Sequence, residues 1–189
     1  MRSLTRWFLR ARHWQIFVLL LVTYVFSAVI SIGLEISHPE LEHLNRFSPL
    51  LLLAEGAWLP LLFCWFGWLW TVGLFLDSLL KPDLKLRTGF FRFAIVYPTL
   101  YLLAGLPVFL SDNPTVERVA IPMHLLAMFC ILYADNFVAK ALKTVNLRRP
   151  MIMHEYGKEF LLLFLIPLGI WFIQPRINQL YASAQDRLA

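Results

Sequence analysis

Asp135 is the side chain in this sequence best placed to do chemistry. It lies in a long apolar stretch, Val119 to Ala139, whose middle falls near Phe129. At about 1.5 Å of helical rise per residue, Asp135 sits about 9 Å to one side of that middle and His124 about 7.5 Å to the other. Ionisable groups at such depth in hydrocarbon are costly, which makes each a candidate for a task. At about 100° per residue the two point within about 20° of one direction, and Glu117 and Met128 share their stripe. Glu117, His124 and Asp135, with Asn136 beside them, can therefore line a polar seam that passes protons or a cation, Asp135 being the titrating group. The alternative is structural. Asp135 then pairs with a basic group of a neighbouring helix or with water, and His124 hydrogen-bonds locally.

Other constellations carry less. Glu35-x-x-His38 and Glu40-x-x-His43 have the spacing that puts two ligands on one helical face for carboxylate-bridged iron. That design needs its pairs on separate helices with further glutamates, and Pro39 interrupts this segment, so no metal site is expected. His154, Glu155, Lys158 and Glu159 pair off at helical spacing but do not spell HExxH; they read as a solvated, amphipathic lead-in on a membrane surface. Glu55 and Asp77 lie near the ends of an apolar helix and read as hydrated. Trp65 and Trp68 fall near mid-membrane, where they either pack between helices or line a groove for a lipid or quinone tail. Cys64 and Cys130 both sit in apolar runs, without CxxC spacing, as packing residues. There is no Walker A loop, GxSxG elbow or HExxH, and nothing pairs a nucleophile with a base. No cofactor is called for, and an enzyme is unsupported.

The elements that must position these residues are transmembrane helices. The chain has 189 residues, 59% hydrophobic and only 15% charged, with a mean hydropathy of +0.65. An average soluble domain carries about a quarter charged residues, so disordered, disulfide-rich and ordinary soluble classes are excluded. The net charge of +5 resides in short basic blocks beside apolar runs, which suits anionic headgroups better than nucleic acid. An all-α bundle of four to five transmembrane helices follows, as a single domain over 1–189. A basic, aromatic N-terminal segment lies in the interface, and helices are expected at about 16–34, 49–80, 93–110, 114–145 and a short 150–174. Gly56 and Pro60 should bend the second, and Pro175 should end the last. The run before Pro175 is short for a crossing, so a re-entrant segment is its rival. With the N-terminus inside, thirteen Lys and Arg fall on the cytoplasmic side against four outside, the bias that fixes orientation.

Phe164 to Asn178 reads FLIPLGIWFIQPRIN, with Glu159 and Ala139-Lys140-Ala141-Leu142-Lys143 before it. This run resembles a C-terminal pattern of small bacterial multi-pass membrane proteins to which no activity attaches. The resemblance covers the last quarter of the chain. It implies a bacterial inner-membrane setting and transfers no catalytic or binding residue.

The reading that results is a non-enzymatic membrane subunit or assembly partner of a larger complex, among lipids and with a membrane-protein partner or further copies of itself. Its docking edge, or its headgroup contacts, would be Lys140, Lys143, Arg148, Arg149, Glu155 and Glu159. A small proton- or cation-coupled transporter or channel using Asp135 and His124 is the alternative, and a lipid- or quinone-handling protein using Trp65 and Trp68 the third.

Overall fold

The computed structural model describes residues 3–37, 56–109, 114–165 and 168–186. Among these the chain forms seven α-helices, one short 3-10 turn and no strand. α1 (Ser3–Arg10) leads into α2 (His13–Ser37), then α3 (Leu59–Leu79), the turn at Pro82–Leu84, α4 (Thr88–Phe109), α5 (Pro114–Leu147), α6 (Met153–Phe164) and α7 (Leu168–Asp186). The protein is an all-α membrane bundle. α2, α3 and the Arg118–Leu147 part of α5 are each long and apolar enough to cross a bilayer. α4, 22 residues or about 33 Å long, runs antiparallel along α5. Phe90 meets Tyr133, Phe91 stacks on Phe137, and further along Tyr97 Oη donates to the Met123 carbonyl at 3.1 Å.

Packing is tightest toward one end. Phe91 on α4 presses its ring against Gly73 on α3, where a Cβ would collide with it, and stacks on Phe137 of α5 at 4.2 Å. Three helices are thereby pinned at one level. Around them α1, α6 and α7 form a base: Leu9, Leu69, Leu76, Leu142, Leu163, Ile173 and Ile177 are fully buried. The other end is open. Along α5, residues 121–126 are exposed around the whole helix, whereas its Ala134, Ala139, Ala141 and Leu142 are wholly covered. Ser27, midway along α2, joins it to the start of α3: its hydroxyl lies 2.5 Å from the Ala57 carbonyl in the turn before α3 and 2.7 Å from the Thr23 carbonyl of its own helix. The Ala57 carbonyl is one a helix break leaves without a partner, and in a membrane it must find one.

Several expectations need correction. The first, third and fourth helices run His13–Ser37, Thr88–Phe109 and Pro114–Leu147, each extending past its expected range at one end or both. Of the second, residues 49–55 lie outside the described part. The chain turns at Ala57–Trp58 and α3 starts at Leu59, so Pro60 occupies the first helical turn, where its missing N–H costs nothing. The short last helix is two helices. α6 and α7 meet at a bend of 117°, and Gly169 is needed there because a Cβ at that position would run into the Leu162 carbonyl. Pro175 does not end α7, which continues to Asp186. Its buried neighbours Ile173, Gln174, Ile177 and Tyr181 hold the helix through the lost hydrogen bond. The last turns of α7, at Leu180, Ser183 and Ala184, line one cavity with Thr144, Val145 and Arg148 at the end of α5. Since α6 starts just beyond α5, the α6–α7 pair enters and leaves the bundle at the same end.

Candidate functional site

Gln174 is the best-connected side chain of the base. It is fully buried, accepts from Trp68 Nε1 at 2.9 Å and donates to the carbonyls of Phe8 and Ala11, both at 2.9 Å. One turn later Asn178 donates to the Ala11 carbonyl at 3.0 Å. The reason is local. The chain breaks at Ala11–Arg12 between α1 and α2, and the last carbonyls of a helix have no partner within it. Two amides from α7 supply the donors, while Trp68 of α3 fills the acceptor. The resembling run IQPRIN thus acts as a clasp over the α1–α2 break.

Below it lies an ion cluster. Glu159 of α6 is 2% exposed, and its Oε1 is 3.2 Å from Lys143 Nζ of α5 and 3.0 Å from Arg176 Nη1 of α7. Burial pushes this carboxyl up, but a backbone hydrogen bond and the two cations outweigh it, and Glu159 sits below the ordinary carboxylate value. The expectation of a solvated face is therefore corrected at Glu159: the α6–α7 bend brings Arg176 over it and closes it from solvent. Glu155 bonds Arg149 and also accepts from the Ile152 N–H at 3.1 Å, tying down the start of α6. The Arg149 hydrogen bond and then the backbone one hold its carboxyl below the usual range. Of the expected docking edge, Lys143 with Glu159 and Arg149 with Glu155 are engaged with each other; Lys140 is half-buried and Arg148 exposed. Asp77 is corrected likewise. It is buried, and the turn at Pro82–Leu84 returns Lys85 to 3.4 Å from it.

The polar stripe of α5 is divided by the change in packing along that helix. Asp135 is 2% exposed, and its Oδ1 has no hydrogen-bond partner; Asn136, half-buried beside it, has an equally unpartnered Oδ1. His124 is exposed on the open half, its ring 6.0 Å from that of Tyr101 on α4. About 16 Å of helix separates it from Asp135, and Met128 between them is 50% exposed. The side chain of Glu117 lies outside the described part, as do His38, Glu40, Glu42, His43 and Glu55. Trp65 and Trp68 stack at 5.1 Å and are both buried, so they face protein rather than a groove. Among the described residues no three His, Cys, Asp or Glu side chains gather as metal ligands.

One feature went unread in the sequence although its signal is there. Val18, Val22, Val25, Val29, Ile32 and Ile36 follow each other along α2 in steps of four and three, and all are exposed, from 44% to 76%. Every member is β-branched. α2 is also the least covered of the three spans, 17% of its window being buried against 50% for α3 and α5.

No protein-family model matches the chain, and neither a curated protein nor a solved structure is similar to it.

Proposed function

We propose that the chain is a non-enzymatic integral membrane subunit that joins a larger membrane complex through α2, in the inner membrane of a bacterium with its N-terminus in the cytoplasm. The observation that carries this reading is the stripe from Val18 to Ile36. Alternating steps of four and three keep one line of a helix facing a neighbour, the seam along which helices interlock. Lipid contact demands only apolarity, and an unbroken series of β-branched residues is more than that. Stiff, β-branched side chains lose little rotamer freedom when a second helix packs on them. The polar groups of the base serve internal fastening: Gln174 and Asn178 hold α1, Glu159 joins three helices, and Lys85 covers Asp77.

The test is photo-crosslinking from α2 in the native membrane. A crosslinking residue at Val22 or Val29 should capture the same membrane protein, while one at Leu132 on α5 should not. Adducts to lipid alone from both α2 positions would contradict the reading, and capture of a second copy would make it a homo-oligomer.

A second reading rests on Asp135. A carboxylate 2% exposed with an unpartnered oxygen, in a helix of this apolarity, suits a proton- or cation-binding site. Reconstituted into liposomes, the chain would then dissipate a proton or cation gradient, and a well-folded Asp135→Asn would not.

A further inference from the structure

A cavity of about 270 Å³ opens at the packed end of the bundle, between the last turns of α3, α5 and α7. Its walls are mixed, with Leu79, Leu84, Val145 and Leu180 as the apolar part, and two cations border it, Lys81 just past α3 and Arg148 just past α5. The hydroxyls that also line it are engaged: Thr144 donates to the Lys140 carbonyl and Ser183 to the Gln179 carbonyl. Four other cations at this end have acidic partners, Lys85 with Asp77, Lys143 and Arg176 with Glu159, and Arg149 with Glu155. Lys81 and Arg148 have none among the described residues, and the nearby Asp83 is exposed and does not border the cavity. Arg148 also holds a left-handed backbone, φ 54°, at the end of α5, where its N–H closes the helix onto the Thr144 carbonyl at 2.8 Å. Glycine or asparagine is the cheap residue for that conformation, so an arginine there points to use of its side chain.

We propose that this cavity binds one anionic membrane phospholipid, its phosphate between Lys81 and Arg148 and a stretch of its acyl chain against the leucines and Val145. Guanidinium matches phosphate oxygens in pairs, and an ammonium supplies a second, mobile charge. The cavity falls just below the usual lower limit for ligand pockets, which fits a phosphate with part of one chain rather than a whole lipid. The basic blocks place this end of the bundle at the headgroups, and the occupant arrives from the bilayer.

Native mass spectrometry of the full chain, released from nanodiscs of phosphatidylcholine doped with phosphatidylglycerol, tests this. One phosphatidylglycerol should stay bound per chain, and Lys81→Gln with Arg148→Gln together should raise its apparent Kd roughly 30-fold across a phosphatidylglycerol titration, the attraction of two basic side chains to an anionic headgroup. Lys158→Gln, an exposed lysine away from the cavity, should leave occupancy unchanged. Circular dichroism and gel filtration confirm that the double variant is folded. Because Arg148 also closes α5, Arg148→Lys, which keeps the charge, serves as a second variant and should retain most binding. Equal loss in Lys158→Gln would reduce the effect to bulk charge and overturn the proposal. Displacement of the lipid by inorganic phosphate would assign the site to a free anion and overturn it too. Unchanged occupancy in the double variant would mean that Lys81 and Arg148 only complement the negative helix ends.

Discussion

Gln174 and Glu159 each fasten three helices of this fold together. Gln174→Leu keeps the volume but removes three hydrogen bonds, leaving the Trp68 N–H and the Phe8 carbonyl without their buried partner. Stranding such groups costs about 1–3 kcal/mol, so the variant should melt lower in detergent and its N-terminal segment should become open to protease. Unchanged melting and protection would remove the clasp from the account. Glu159 gives a pH dependence of known sign. Its folded carboxyl holds a proton less readily than the unfolded chain does, so its stabilisation is complete above the ordinary value of 4.5 and is lost as pH falls through the lower folded value. Glu159→Gln should therefore be less stable than the native chain at neutral pH, and the gap should close as pH falls below about 4.5. We expect a gap of about 1–3 kcal/mol, below that of a fully buried pair because Lys143 and Arg176 are partly solvated. A gap that persists at low pH would mean that the side chain acts by shape alone.

At the scale of elements, the α6–α7 pair decides the topology. Single cysteines at Thr88 and Ser183, in a chain with Cys64 and Cys130 replaced by alanine, should react with an impermeant reagent from the same side. A cysteine at Ser37 should react from the other. Labelling of Ser183 from the side of Ser37 would make the pair a crossing. Much of this level was legible in the sequence, because four apolar runs of sufficient length, bounded by Pro and by basic blocks, leave few alternatives to spanning helices. The last run was not legible. Pro175 has the look of a stop, and only the contacts of Ile173, Ile177 and Tyr181 carry the helix past it. The bend comes instead between α6 and α7, where Gly169 permits an approach to Leu162 that no period in the sequence announces. The candidate site divides in the same way. Asp135 stood out because depth alone marks a carboxylate, whereas the burial of Glu159 depends on a cation that is distant in sequence and arrives with the bend.

For the whole molecule, the contrast between its two ends matters most. The packed base ties most of its buried polar side chains to one another, and it holds a cavity edged by two cations that have no acidic partner among the described residues. The open end exposes apolar helix, most regularly along α2. A membrane helix with so little cover from its own chain and so regular a β-branched stripe is what supports the proposed subunit role. The most direct test is native mass spectrometry of the chain taken from its own membrane in nanodiscs, beside a variant with Val22→Trp and Val29→Trp on the stripe. The account predicts a second membrane protein at a fixed ratio with the native chain, and its loss from a variant that still folds. A native chain that runs alone, with lipid as its only companion, or a partner retained undiminished by the variant, would contradict it.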